Sequence, residues 1–122
     1  MVTAGQLMRS KLARVDDTVQ MGIVEAEMRI ADVRHVVVVD AHGRIAGIVS
    51  RGDLLRGASG AVEGNMTRRV YTVRADAPAA RAIELMIAHG IGAVPVLDDD
   101  ERPVGILTET DFLHIAREAL KP

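Results

Sequence analysis

The apolar positions of the chain change period in a fixed order, and that order occurs twice. From Val19 to Ala31 they recur at helical spacing, which predicts an α-helix. They form two stripes: Val19, Ile23, Ala26 and Ile30 on one face, and Met21, Val24 and Met28 almost opposite. One stripe suffices for a surface helix, so two predict a packing partner on each side. Val36–Val39 is a continuous β-branched run, the pattern of a strand covered on both faces. Asp40–Gly43 is a turn and Ile45–Val49 a second strand, so the pair reads as a hairpin. Ser50 then caps a helix that ends near Gly57.

Ahead of this series, Ala4–Met8 predicts a helical turn and Leu12–Val15 a short extended piece, and Asp16-Asp17-Thr18 offers N-cap chemistry for the long helix. The second half repeats the order. Val70–Val73 reads as a strand, and Asp76-Ala77-Pro78 opens a helix with Ala79, Ile83 and Met86 on one face and a stop at Gly90. Ala93–Leu97 and Val104–Leu107 form the second hairpin, and Glu109–Lys121 the closing helix. The clearest repeated stretch is Gly47-Ile48-Val49-Ser50-Arg51-Gly52-Asp53, answered by Gly105-Ile106-Leu107-Thr108-Glu109-Thr110-Asp111 at an offset of 58. Met8 and Met66, Met28 and Met86, and Asp40 and Asp98 keep the same offset. The expected organisation is repeat one over 1–58, a linker over 59–64 and repeat two over 65–122. Each repeat alone would bury a marginal core. Packing about a pseudo-twofold axis as one α/β module is therefore expected.

Composition narrows the function. The net charge of −2 gives no broad basic field for nucleic acid or anionic lipid. Aromatic residues are 2%, Tyr71 and Phe112, which leaves no base-stacking platform and makes the core aliphatic. There is no cysteine, so disulfides, thiolate metal sites and cysteine nucleophiles are absent. No apolar run approaches a membrane span and the N-terminus lacks a signal-peptide pattern, so a cytoplasmic protein is expected. The histidines at 35, 42, 89 and 114 lack metal-ligand spacing, and Asp98–Glu101 reads as a solvated turn. No Walker or Gly-x-Ser-x-Gly pattern occurs, so an enzyme is not expected. Arg9, Arg68 and Arg69 stand open between a phosphate rim and ordinary surface positions.

Met66-Thr67, the Ala82–Met86 helix segment, Val94-Pro95-Val96-Leu97-Asp98 and the twice-occurring Gly-apolar-apolar-Ser/Thr-x-x-Asp stretch resemble the CBS domain family. In that family two tandem βαββα-type repeats form one ligand-sensing module. The resemblance covers nearly the whole chain and leaves no room for a catalytic domain. The first repeat departs from it in having Val37 where many members have Pro, and in lacking the helix-ending Gly.

The resemblance implies an adenosine-type ligand (AMP, ADP, ATP or S-adenosylmethionine) in the cleft between repeats. Ribose contacts would fall on Thr108 and Asp111, and at a second site on Ser50 and Asp53. Arg34 and His35 would meet the phosphate of the ligand held by Thr108 and Asp111, with Asp17 and Thr18 near the base. Gly92-Ala93 stands in the place of that basic pair in repeat two, so one phosphate-competent site and one weak, empty or uncharged-ligand site are expected. Ser50…Asp53 and Thr108…Asp111 are also [ST]-x-x-[DE] capping boxes, which need no ligand. The resemblance implies a non-catalytic energy or metabolite sensor, a side-by-side homodimer and a regulated protein on another chain. The alternative is a ligand-independent dimerisation or protein-interaction module with vestigial clefts.

Overall fold

The computed structural model describes residues 1–122. In chain order the elements are α1 (Ala4–Leu7), β1 (Arg14–Asp16), α2 (Met21–Ala31), β2 (His35–Val39), β3 (Ile45–Ser50), α3 (Arg51–Leu55), a 3-10 turn (Val62–Gly64), β4 (Val73–Arg74), α4 (Ala80–His89), β5 (Ala93–Leu97), β6 (Pro103–Thr108) and α5 (Glu109–Ala119). Two three-stranded sheets result, β1-β2-β3 and β4-β5-β6. In each, the first pair is parallel and the hairpin antiparallel. The α/β architecture with two βαββα-like repeats follows the sequence pattern.

The chain divides into two compact units, and neither is a simple half. One comprises Leu12–Val70; the other comprises Met1–Lys11 with Tyr71–Pro122. The segment ahead of each hairpin set thus completes the other set. Arg9 bridges Ile106, whereas Thr67 bridges Ile48. Each unit has its own aliphatic cluster. Val15, Val24, Val36, Val38, Val49 and Val62 lie in the first; Ala4, Ala82, Val94, Val96 and Leu107 lie in the second. Val62 falls in the stretch expected to be a linker, yet it is fully buried.

Glycines fix where the exchanged segments cross the hairpins. A Cβ on Gly47 would lie 2.6 Å from Met66 Sδ. A Cβ on Gly105 would collide with Met8 and stand 2.7 Å from the Arg9 carbonyl oxygen. The first Gly of the repeated stretch therefore packs under a methionine, where any Cβ would force its neighbours to shift.

Several local expectations are corrected. Asp16-Asp17-Thr18 does not cap α2. Asp16 pairs with Val39 in the sheet and Asp17 N–H donates to the Val39 carbonyl at 3.0 Å, so this stretch belongs to the strand. The helix starts at Met21, whose N–H donates to the Gly60 carbonyl at 2.8 Å, a main-chain substitute for a side-chain cap. At α4 the corresponding bond runs from Ala79 N–H to the Val2 carbonyl, 2.9 Å. The strand expected over Val70–Val73 is only Val73–Arg74. Val37 N–H bonds the Ala13 carbonyl at 3.0 Å, whereas its counterpart Pro95 has no N–H to offer residue 71. The closing helix stops at Ala119 rather than Lys121.

Of the two stripes on α2, Met21, Val24 and Met28 are buried, while Ile23 and Ile30 are 51% and 76% exposed. On α4 the inward face is Ala79, Ala82 and Met86, and Ile83 turns outward with Ile87. Gly90 ends α4 at φ 63°, as its position predicts, and Asp32 takes the same left-handed conformation at the end of α2.

Candidate functional site

Each repeated stretch places its hydroxyl residue on the last position of a strand and its acid in the first turn of the next helix. In the Leu12–Val70 unit, Ser50 N–H donates to Asp53 Oδ2 at 2.8 Å, and Asp53 N–H donates to Ser50 Oγ at 3.2 Å. In the other unit, Thr108 N–H donates to Asp111 Oδ2 at 3.0 Å, Thr108 Oγ1 donates to the same oxygen at 2.9 Å, and Asp111 N–H donates to Thr108 Oγ1 at 3.3 Å. Both are complete reciprocal capping boxes. Helix capping alone accounts for the residue types, at about 1 kcal/mol per cap.

The second oxygen of each carboxylate is also engaged, and here the units differ. Asp53 Oδ1 accepts from Arg56 Nη2 at 2.6 Å, within one turn of the same helix. Asp111 Oδ1 accepts from Arg9 Nε at 2.7 Å, from the N-terminal segment. The aspartate side chains keep 19% and 12% of their surface open. Both carboxylates are therefore oriented, charge-balanced and reachable from solvent. A carboxylate oxygen has two lone-pair directions, so pairing with Arg leaves room for a hydroxyl donor.

The strand entrances lie beside these boxes. His35 is the cross-strand partner of Ser50, and Arg51 N–H donates to the Arg34 carbonyl at 2.8 Å. Within one unit, Arg34, His35, Ser50 and Asp53 are thus brought together, with Arg51 at the same edge. Asp17 and Thr18 belong to this unit too, at the end of β1. In the other unit Ala93 partners Thr108, and Glu109 N–H donates to the Gly92 carbonyl at 3.0 Å. A Cβ on Gly92 would meet Glu109 Oε1 at 2.9 Å. The equivalent edge is therefore Arg34 and Arg51 in one unit, Gly92 and Glu109 in the other. Pattern reading missed Arg56, which a capping box does not require; Arg9, left open between a phosphate rim and an ordinary surface position, is paired with Asp111, and its counterpart at the same offset is uncharged Thr67.

A concavity of about 480 Å³ in the Leu12–Val70 unit lies between α2 and α3 and is lined by Met28, Arg29, Val33, Arg51, Leu54 and Leu55, among others. Its lining includes neither Ser50 nor Asp53. No group of His, Asp and Glu side chains is gathered to hold a metal ion, and no helix is long and apolar enough to cross a membrane.

Known proteins resemble this chain throughout its length. It is 41% identical over 85 residues to arabinose 5-phosphate isomerase KdsD of Pseudomonas aeruginosa, covering 64% of this chain and 26% of the isomerase. It is 33% identical over 87 residues to L-aspartate semialdehyde sulfurtransferase of Methanocaldococcus jannaschii, covering 69% of this chain and 17% of that protein. The chain thus spans about a quarter or less of these two relatives. Among solved structures, the CBS domain pair of protein MJ0100, in complex with 5′-methylthioadenosine and S-adenosyl-L-methionine, superposes with a TM-score of 0.90 at 25% identity, covering 97% of this chain and 98% of that one. CBSX2 in complex with AMP shares the fold, with a TM-score of 0.83 at 23% identity and 98% coverage of both chains. The CBS domain model matches residues 4–60 and again residues 58–118, and the chain belongs to the CBS domain family as a tandem pair.

Proposed function

We propose that the chain is a non-catalytic sensor of an adenosine-type ligand. The observation that carries this reading is the Ser/Thr–Asp box, built twice at the strand-to-helix turn. It stands in a chain that aligns over 97% of its length with a CBS pair bearing two adenosyl compounds. Asp111 and Thr108, and in the second box Asp53 and Ser50, take the ribose. A carboxylate held side-on by the cap accepts ribose hydroxyls on the directions its own partners leave open, and each bond to a charged acceptor is worth more than a neutral one. Arg34 and His35 supply the phosphate contacts, and Asp17 and Thr18 lie toward the base. AMP, ADP, ATP and S-adenosylmethionine share the ribose and adenine that this chemistry reads. Binding regulates only if the ligand has different affinity for two states of the chain or its partner, a homodimer or a separate regulated protein.

Isothermal titration with AMP, ATP and S-adenosylmethionine tests the reading. Saturable binding that Asp111→Ala or Asp53→Ala weakens is the expected outcome, and no heat with any of them contradicts it.

A second reading has its own support. Both boxes are closed by their own residues, and Ile23, Ile30, Ile83 and Ile87 leave apolar surface on the long helices. A protein-interaction module whose aspartates serve only as caps would show no ligand binding and a concentration-dependent molecular mass.

A further inference from the structure

Within their own unit, Gly92 and Ala93 give the Thr108–Asp111 box no basic pair like the one Arg34 and His35 place beside Ser50. A cation nevertheless stands against its carboxylate. Arg9 arrives from 102 residues away along the chain, and its Nε donates to Asp111 Oδ1. Its main chain is fixed, with Arg9 N–H donating to the Ile106 carbonyl and Ile106 N–H to the Arg9 carbonyl, each at 3.0 Å. The terminal amino groups of the guanidinium donate to no protein atom. The Arg9 side chain is 59% exposed, against 12% for Asp111. One edge of a planar fork is therefore pinned to a sheltered carboxylate, and the other faces outward. That arrangement pre-orients the fork for a second anion. The other unit has no equivalent, because Thr67 occupies the matching bridge and Arg56 reaches Asp53 from within its own helix.

We infer that Arg9 is the anion-recognition residue that the Thr108–Asp111 unit itself supplies, beside the contacts proposed for Arg34 and His35. Asp111 accepts a ribose hydroxyl on the remaining lone pair of Oδ1, and the free edge of Arg9 takes the phosphate of the same nucleotide. Alone, Asp111 would repel a phosphate; paired with Arg9, it is charge-balanced with donors to spare. The site therefore prefers a nucleoside phosphate to the uncharged nucleoside. This assignment rests on the ribose reading above.

The test is isothermal titration of AMP and of adenosine into the full chain carrying Asp53→Ala, so that one box is read. Arg9→Ala, Arg9→Lys and Asp111→Ala are added separately to that parent. The Arg9 side chain is exposed and its main-chain bonds are untouched by substitution, so the two Arg9 variants are expected to melt close to the parent. Arg9→Ala should weaken AMP about tenfold or more, the loss of a charge-assisted contact, and adenosine by less than about threefold. Arg9→Lys, which keeps the charge and loses the fork, should fall between. Equal loss of both ligands, or unchanged AMP affinity, overturns the assignment. If Arg9→Ala weakens AMP alone while Asp111→Ala weakens neither ligand, the ribose reading fails and the role of Arg9 survives. If the parent binds neither ligand, both fail.

Discussion

The two units share one plan and differ in the charge around it. Each has a parallel-antiparallel three-stranded sheet, a complete capping box at the strand-to-helix turn, and a glycine under a methionine. Around that common frame one unit carries Arg34, His35, Arg51 and Arg56, and the other Gly92, Ala93, Glu109 and a single arginine, Arg9, brought from the far end of the sequence. Sequence repetition therefore preserves what folding needs, while the charged residues around each box differ. On the proposed sensor reading, a duplicated fold with unequal rims would offer two sites of different preference.

The largest expected effect comes from removing each carboxylate in turn. Asp111→Ala and Asp53→Ala should each lower affinity for AMP at their own box by about tenfold to a hundredfold, the loss of one or two hydroxyl-to-carboxylate bonds. Titration of the two single variants separates the boxes. Equal residual binding in both would erase the difference between the units.

The glycines come next. Gly105→Ala forces a Cβ against the Arg9 carbonyl and should destabilise the fold by about 2–3 kcal/mol, since backbone cannot swing aside. At Gly47 the three nearest atoms are Sδ, Cγ and Cβ of Met66, and the two closest can swing aside, so Gly47→Ala should cost less, about 1 kcal/mol. Urea unfolding of the two variants measures the gap, and the reverse order would contradict the packing account.

Gly92→Arg sharpens the charge comparison. The new Cβ meets only the mobile end of Glu109, so the melting temperature should stay within a few degrees of the wild type while preference for AMP over adenosine rises several-fold. The smallest effect lies at the turn between β2 and β3. Asp40 Oδ1 accepts from His42 N–H at 2.8 Å and Arg44 N–H at 3.1 Å. The Arg44 N–H above all, then that of His42, holds the carboxyl below the usual aspartate range. A group depressed in the folded state adds stability above its unfolded pKa and loses it as pH falls through the folded one. Carbon-detected NMR should find Asp40 titrating below an ordinary aspartate.

What could be read from the sequence was local. The Val36–Val39 run, the alternation into Ser50 and the three-residue step to Asp53 are each written within a few positions, and all formed as expected. The start of α2 was not legible, because Gly60 satisfies its first N–H from a segment that reads only as linker. Nor was the burial of Val62, a lone apolar residue among Ser and Gly. The Arg9–Asp111 pair spans 102 positions, and the sequence marks only that Met8 and Met66 are equivalent, not which hairpin each segment crosses. Pro95 was visible as a family mark, but its shortening of β4 depends on a register that only the fold defines.

The central claim is that the twin boxes bind an adenosine-type ligand, and thermal unfolding tests it most directly. The wild type and an Asp53→Ala/Asp111→Ala variant are melted with AMP, ATP, S-adenosylmethionine or adenosine. At about a hundredfold excess over Kd, binding to one site adds about 2.7 kcal/mol, so the wild type should gain roughly 10 °C with at least one of them. The double variant should gain nothing. A wild type whose melting point moves with no ligand, or a double variant that shifts as far as the wild type, would contradict it.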